Sequence, residues 1–189
     1  FSWMYKTVCS LLAKAGPMDH PYIGANDSDR RACVTITSNR GLAGGYNSNI
    51  VKLITSSTLD TGTTDIYAIG HKGEEALARR GYNISATKDD VMEAPTYEDA
   101  KAIANELLEE YSEGKIGEIW LAYTHFKNTV VHEPKLMKLL PVDISVEEAA
   151  DNADNNLLMN FEPAEDEALS MIIPKYITSL IYGALIEAV

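Results

Sequence analysis

The sequence predicts an α/β fold: a Rossmann-like, mostly parallel open sheet flanked by helices, with an antiparallel edge hairpin and truncated N- and C-terminal helices. Three observations predict it. Short β-rich apolar runs alternate with amphipathic helical stretches from residue 32 to 112, the βαβ signature of a parallel sheet. Two further β-rich runs then follow one another across a short polar link, which reads as a hairpin. Finally, 189 residues with 46% hydrophobic and 23% charged side chains suit one globular domain and exclude a disordered chain.

The elements follow in order. In Phe1–Ala15 the apolar residues Phe1, Tyr5, Val8, Leu11, Leu12 and Ala15 share one helical face, and Gly16-Pro17 stops the helix. His20–Arg31 is polar and reads as a loop. Ala32–Ser38 is the first strand, Asn39–Gly45 a glycine-rich turn, and Tyr46–Leu59 a helix with Ile50, Leu53 and Ile54 on its apolar face. Asp65–Ile69 is the second strand, Gly70–Gly73 a turn, Glu74–Arg80 a short helix, and Asn83–Thr87 a third strand. Thr96 is the expected N-cap of the next helix, with Asp99 at the capping-box position. That helix buries Ala100, Ile103, Leu107, Leu108 and Tyr111, and Gly114 ends it. Glu118–Phe126 and Thr129–Leu140 are the hairpin strands, joined through Lys127-Asn128. Asp143–Asn156 is an acidic polar stretch, Leu157–Phe161 a short edge strand, and Glu165–Val189 a helix in which Pro174 either starts a new helix or makes a kink.

Charge narrows the function. Sixteen basic and 28 acidic residues give a net charge of −12, which argues against nucleic acid as the main partner. Nine of the acids lie between Asp143 and Glu167, and no Lys or Arg lies between Lys138 and Lys175. This stretch lacks the turn glycine of a calcium loop and reads as solvated surface. No unbroken apolar run has the roughly 18 residues of a membrane span. Cys9 and Cys33 form neither a disulfide framework nor a zinc spacing, so a reducing compartment is the default expectation. His20, His71, His125 and His132 show no zinc spacing, although His125 and His132 sit on the two hairpin strands, where they could approach each other. No nucleophile elbow is present, and no catalytic, cofactor-binding or metal-binding residue stands out.

The turn after the first strand is where an open α/β sheet would hold a phosphate. Its residues fit neither cradle: Tyr46 follows Gly45 where a P-loop needs Lys, and Ala43 and Tyr46 occupy two glycine positions of the dinucleotide fingerprint. Nucleotide binding through Gly41–Gly45 therefore stays as the second reading, and a free-standing protein-interaction domain as the third. The apolar stripes of the two terminal helices run to the chain ends. They suggest an antiparallel coiled coil severed from a longer protein, with weak self-association through Phe1, Tyr5, Val8, Ile181 and Leu185.

The segment Ile36-Thr37-Ser38-Asn39-Arg40-Gly41-Leu42-Ala43-Gly44-Gly45-Tyr46-Asn47-Ser48-Asn49 resembles the signature of the gamma subunit of F-type ATP synthases, [ST]-D-R-G-L-[CA]-G-G-x-N-x-N, with Asn39 in place of the usual Asp. Ile173-Pro174-Lys175-Tyr176, followed by Ile181-Tyr182-Gly183-Ala184-Leu185, is similar to the family's L-P-[RK]-Y and I-Y-x-A-L run, and Gly70-His71-Lys72-Gly73 resembles its G-x-K-G turn. The resemblance implies a central-stalk rotor subunit, non-catalytic and without cofactor, that couples proton-driven rotation of a membrane ring to ATP synthesis in a hexamer of alpha and beta subunits. It further implies contacts with the epsilon subunit and the c-ring, on the cytoplasmic face of a bacterial membrane. Residues 1–15 then end an N-terminal coiled-coil helix, 32–163 form the globular domain, and 164–189 begin the C-terminal helix. Arg40, Gly41, Leu42, Gly44, Gly45, Asn47, Asn49, Pro174, Tyr176 and Tyr182 carry the signature in a structural role. Arg40, Asn47 and Asn49 are expected to organise the turn through hydrogen bonds to backbone groups and nearby carboxylates.

Overall fold

The computed structural model describes residues 2–15, 20–22, 26–41, 45–142 and 165–188. In chain order the elements are α1 (Ser2–Ala15), β1 (Arg31–Ile36), α2 (Tyr46–Thr55), β2 (Thr64–Ile69), α3 (His71–Arg79), β3 (Asn83–Thr87), a 3-10 turn (Asp89–Met92), α4 (Tyr97–Ser112), β4 (Glu118–Phe126), β5 (His132–Leu140) and α5 (Glu165–Glu187). The five strands form one sheet of order β3-β2-β1-β4-β5. The β1–β2, β2–β3 and β1–β4 pairs are parallel, and β4–β5 is antiparallel. The expected fold class is therefore the one observed.

Alternation along β1 divides the core in two. Ala32, Val34 and Ile36 face one side, where they pack with Val8 and Leu11 of α1, Ile103 and Leu107 of α4, and Ile173, Ile177 and Ile181 of α5. Cys33 faces the other side, with Ile50 and Ile54 of α2 and Leu77 of α3. A sheet covered on both faces explains why β1 is buried along nearly its whole length. Each fully buried Leu or Ile contributes about 1.5–3 kcal/mol, so the larger cluster, which spans α1, α4 and α5, dominates.

Several expected boundaries move, each for a local reason. Helix α2 ends at Thr55 rather than Leu59, because the hydroxyls of Thr55, Ser56 and Ser57 turn back onto the carbonyls of Lys52 and Ile54. Helix α3 begins at His71, not Glu74, since its first N–H groups find acceptors far upstream. β1 ends at Ile36, which frees Thr37 and Ser38 to supply those acceptors. The hairpin connection is residues 127–131 instead of a two-residue link. Asn128 Oδ1 accepts the N–H groups of Val130 and Val131, both at 2.8 Å, and closes a wider turn. Thr96 and Asp99 form the expected capping box, and Gly114 follows the end of α4. The acidic stretch Asp143–Asn156 and the strand expected at Leu157–Phe161 lie outside the described residues.

α5 runs unbroken through Pro174. Its Glu167–Glu187 portion is long and apolar enough to cross a membrane, contrary to the reading from unbroken apolar runs. Half of that portion is buried inside the fold, however, so it serves as the core helix of this domain. The same burial corrects the expectation of exposed stripes at Val8, Ile181 and Leu185, which are fully covered by the domain itself; Tyr5 is partly buried, and Phe1 lies outside the described residues. The apolar side chains left outside are Trp3 of α1 and Met171 and Ile186 of α5, at 62%, 65% and 47% exposure.

Gly70 links β2 to α3 at φ 104°, and a Cβ there would lie 2.0 Å from the Thr37 carbonyl oxygen. Backbone cannot yield as a flexible side chain does, so Gly70→Ala should destabilise the domain by roughly 3 kcal/mol or more. Gly62→Ala, whose Cβ would make only an ordinary 3.6 Å contact with Asp60, should stay within about 0.5 kcal/mol of the parent. Urea denaturation of both variants checks this, and equal midpoints would show that the close approach is not a constraint.

Candidate functional site

The residues singled out by the sequence fall in two places: the exit of β1, and the contact between α1 and α5. At the first, Thr37 is buried and its hydroxyl has two partners. Oγ1 accepts the Gly73 N–H at 2.8 Å and donates to the Gly70 carbonyl at 3.2 Å. The Ser38 carbonyl accepts the Lys72 N–H at 3.0 Å, and Asn39 Oδ1 accepts the His71 N–H at 3.1 Å. Three of the four N–H groups that a helix leaves unpaired at its start are thus satisfied at α3. A Cβ on Gly73 would come within 2.8 Å of Thr37, so the Gly70–Gly73 segment is glycine-rich for packing. Asn39 Nδ2 also donates to the Asp89 carbonyl at 2.8 Å, tying β1 to the turn after β3.

The glycine turn is held from α2. Asn47 Oδ1 accepts the Ser38 N–H at 2.9 Å, while its Nδ2 donates to Ser38 Oγ at 2.8 Å and to the Arg40 carbonyl at 3.5 Å. Ser38 Oγ donates to the same carbonyl. Gly45 is the N-cap of α2 at φ 75°, in the left-handed region. Gly41 has open space around it. Leu42 and Gly44 lie outside the described residues. Asn47 therefore acts as expected, but Arg40 and Asn49 do not: their side chains are exposed and form no hydrogen bond or ion pair among the described residues. Arg40 contributes through its carbonyl. The unforeseen members are Thr37, Ser38 and Asn39, whose partners lie some 30 residues away along the chain and leave no local pattern.

At the second place, Tyr176 is buried with its ring 6.1 Å from that of Tyr5, and Ser179 Oγ lies 3.8 Å from Met4 Sδ. The pairing 5 with 176 and 4 with 179 sets α1 and α5 antiparallel. Pro174 sits inside α5, where the Thr178 hydroxyl donates to its carbonyl at 2.7 Å. Tyr182 meets Tyr97 of α4 edge-on at 5.6 Å.

The histidines separate. His20 is buried, 2.8 Å from Ser170 Oγ through Nε2, and its Nδ1 accepts the Tyr22 N–H, so it anchors the loop before β1 to α5. His125 lies 2.7 Å from Glu187 on the α5 face, whereas His132 stacks edge-on against Phe126 on the other face. The alternation of side chains keeps these two apart. His71, Glu74 and Asp89 gather within 4.8 Å of one another, a grouping that sequence spacing could not show. All three are partly exposed, and the acids lie by the start of α3, where they favour the helix dipole. Burial pushes the Cys33 thiol up to about 12, so at neutral pH it is not a nucleophile.

Removing the Asn47 carboxamide strands the Ser38 N–H and takes one of two partners from the Ser38 hydroxyl, a loss of about 1–3 kcal/mol. Asn47→Ala should therefore lower stability by that amount in urea denaturation, while Arg40→Ala should change it by less than about 0.5 kcal/mol. A larger effect for Arg40→Ala would reverse this assignment.

The chain is similar to known proteins along its whole length. The profile of a family described as ATP synthase matches residues 1–189. An ATP synthase gamma chain of Lachnoclostridium phytofermentans is 53% identical over 193 residues, covering 100% of this chain and 66% of that one. One from Alkaliphilus metalliredigens is 33% identical, with the same coverage of 100% and 66%. A gamma chain of Acetobacterium woodii, named sodium ion specific, is 28% identical and is covered over 67% of its length. This chain thus spans 66% of the length of the first two relatives. Among solved structures, the central stalk and c-ring of the Tetrahymena thermophila mitochondrial ATP synthase aligns with a TM-score of 0.63 at 21% identity, over 99% of this chain and 78% of that one, which is a likeness of fold. Matched from its first residue to its last by that profile, and most of the way along two relatives that are gamma chains, the chain belongs to the ATP synthase gamma family.

Proposed function

We propose that the chain is the globular domain of a central-stalk gamma subunit, which couples ion-driven rotation of a membrane ring to ATP synthesis in a catalytic hexamer. The observation that carries this reading is the whole-length match to proteins named gamma chains, at up to 53% identity. The geometry supports it. α1 and α5 lie antiparallel and share the larger core with the sheet, so that their displacement would move the body as a unit. In this reading residues 1–15 and 164–189 belong to the shaft that enters the hexamer of alpha and beta subunits, and 32–163 form the body outside it, against the epsilon subunit and the c-ring. The subunit does no bond chemistry. It biases the nucleotide affinities of other subunits through contacts that differ between rotational states. Its place is the cytoplasmic face of a bacterial membrane, peripheral to the bilayer.

The nucleotide-binding alternative lacks a physical basis in the Gly41–Gly45 turn, where Tyr46 stands in place of the P-loop Lys and Ala43 and Tyr46 in place of two fingerprint glycines. A complete gamma chain that carries this domain should assemble with alpha and beta subunits and give ATP hydrolysis that proceeds by rotation, observed with a bead attached to the body. The domain alone should neither assemble nor hydrolyse ATP. A complete chain that folds yet never joins the hexamer, or hydrolysis by the isolated domain, would refute the rotor reading.

A further inference from the structure

A cavity of about 210 Å³ lies at the carboxyl end of β4, beside the point where the strand order turns back between β1 and β4. It is lined by Tyr46 and Asn49 from the first turn of α2, Thr124 of β4, His132 and Pro134 of β5, and Val130 of the hairpin connection. In open α/β sheets the crevice outside the carboxyl ends of the strands, next to such a reversal, is the general place for a ligand.

Two buried hydroxyls mark this cavity out. Thr124 and Tyr46 are 3% and 8% exposed, and, apart from each other, Thr124 Oγ1 and Tyr46 Oη find no hydrogen-bond partner among the described residues. Burying hydroxyls without outside partners is costly, so native proteins rarely leave two together. Burial raises the Tyr46 phenol, an effect that the neighbouring Thr124 hydroxyl partly offsets, so the phenol keeps its proton at neutral pH and can donate it. The Asn49 carboxamide and the His132 ring at the rim add N–H donors. The cavity also adjoins the positive end of the α2 dipole, and Gly45, the N-cap, has no side chain to satisfy the first N–H groups.

Size limits the occupant. Pockets for drug-sized ligands hold roughly 300–1,000 Å³, so a nucleotide does not fit here. The space is still several times the ~30 Å³ share of one water. A donor-rich, cation-poor cavity of this size suits a compact acceptor. We propose that it binds a small oxyanion, with Tyr46, Thr124, Asn49 and His132 as donors. The chemistry is common to inorganic phosphate and to a short carboxylate such as acetate. This site adjoins the Gly41–Gly45 turn at Gly45 and does not depend on the rotor reading.

The test is a thermal-unfolding titration of the full chain with sodium phosphate, sodium acetate or sodium chloride at matched ionic strength. A ligand that binds only the folded state raises the midpoint in a saturable way. Saturable stabilisation by phosphate assigns phosphate, and by acetate a carboxylate, while chloride gives none. Thr124→Val and Tyr46→Phe remove only the hydroxyls and should each weaken the binding about tenfold. Should either fail to fold, Asn49→Ala and His132→Ala, both at the exposed rim, should weaken it severalfold. Equal responses to all three salts, or responses unchanged in the rim variants, would show a solvent pocket and overturn the proposal.

Discussion

The structure depends on one close approach: the segment leaving β1 lies directly on the start of α3. The Thr37 hydroxyl bridges the Gly70 carbonyl and the Gly73 N–H, and the space for it exists only because residues 70 and 73 have no Cβ. The contact fixes the register of the central parallel pair, in which Ile36 stands opposite Ile69 and the Thr37 N–H reaches the Ile69 carbonyl at 2.9 Å. It also sets where α3 begins and, through Asn39 and Asp89, where the chain turns after β3. A fault here would propagate into β1, β2 and α3 together, because each supplies a group that the others need.

From that centre the two faces of the sheet differ in kind. The face carrying α2 and α3 is a small core built around Cys33, Ile54 and Leu77. The face carrying α1, α4 and α5 is larger and takes in side chains from both ends of the sequence. A helix that is half buried in such a core cannot slide without disturbing close-packed neighbours. Tyr176 against Tyr5 and Tyr182 against Tyr97 tie α5 to α1 and to α4 by aromatic contacts at two levels. In the rotor reading, rigidity of this kind transmits torque.

Much of the fold was legible because its signals are local. The capping box of Thr96 and Asp99 lies within one helical turn, and the buried face of α4 follows from its own periodicity. The starts of α3 and β5 were not legible, since acceptors that arrive from residues 37–39 or from Asn128 have no periodic trace. The stripes of α1 and α5 were visible, but periodicity says only that a face is buried and not against what. Val8, Ile181 and Leu185 meet the sheet of their own domain. At the glycine turn the sequence identified the residues, but among the described ones Arg40 contributes through its carbonyl alone, because a charged side chain in a turn suggests a partner without specifying one. The functional reading came from the resemblance, since no geometry around Arg40–Asn49 or Pro174–Tyr182 specifies rotation.

The signature itself can now be understood physically. Ser38, Asn39 and Asn47 use their polar side chains on the backbone of the junction, and Gly45 adopts the left-handed turn that opens α2. In a nucleotide-binding α/β protein the corresponding turn leaves N–H groups free to meet a phosphate. Here Asn47 holds that turn through Ser38 and the Arg40 carbonyl, while Thr37, Ser38 and Asn39 at the end of β1 serve the N–H groups of α3. The space under the start of α2 is bounded by β4 and β5, where the Thr124 and Tyr46 hydroxyls have no hydrogen-bond partner beyond each other among the described residues.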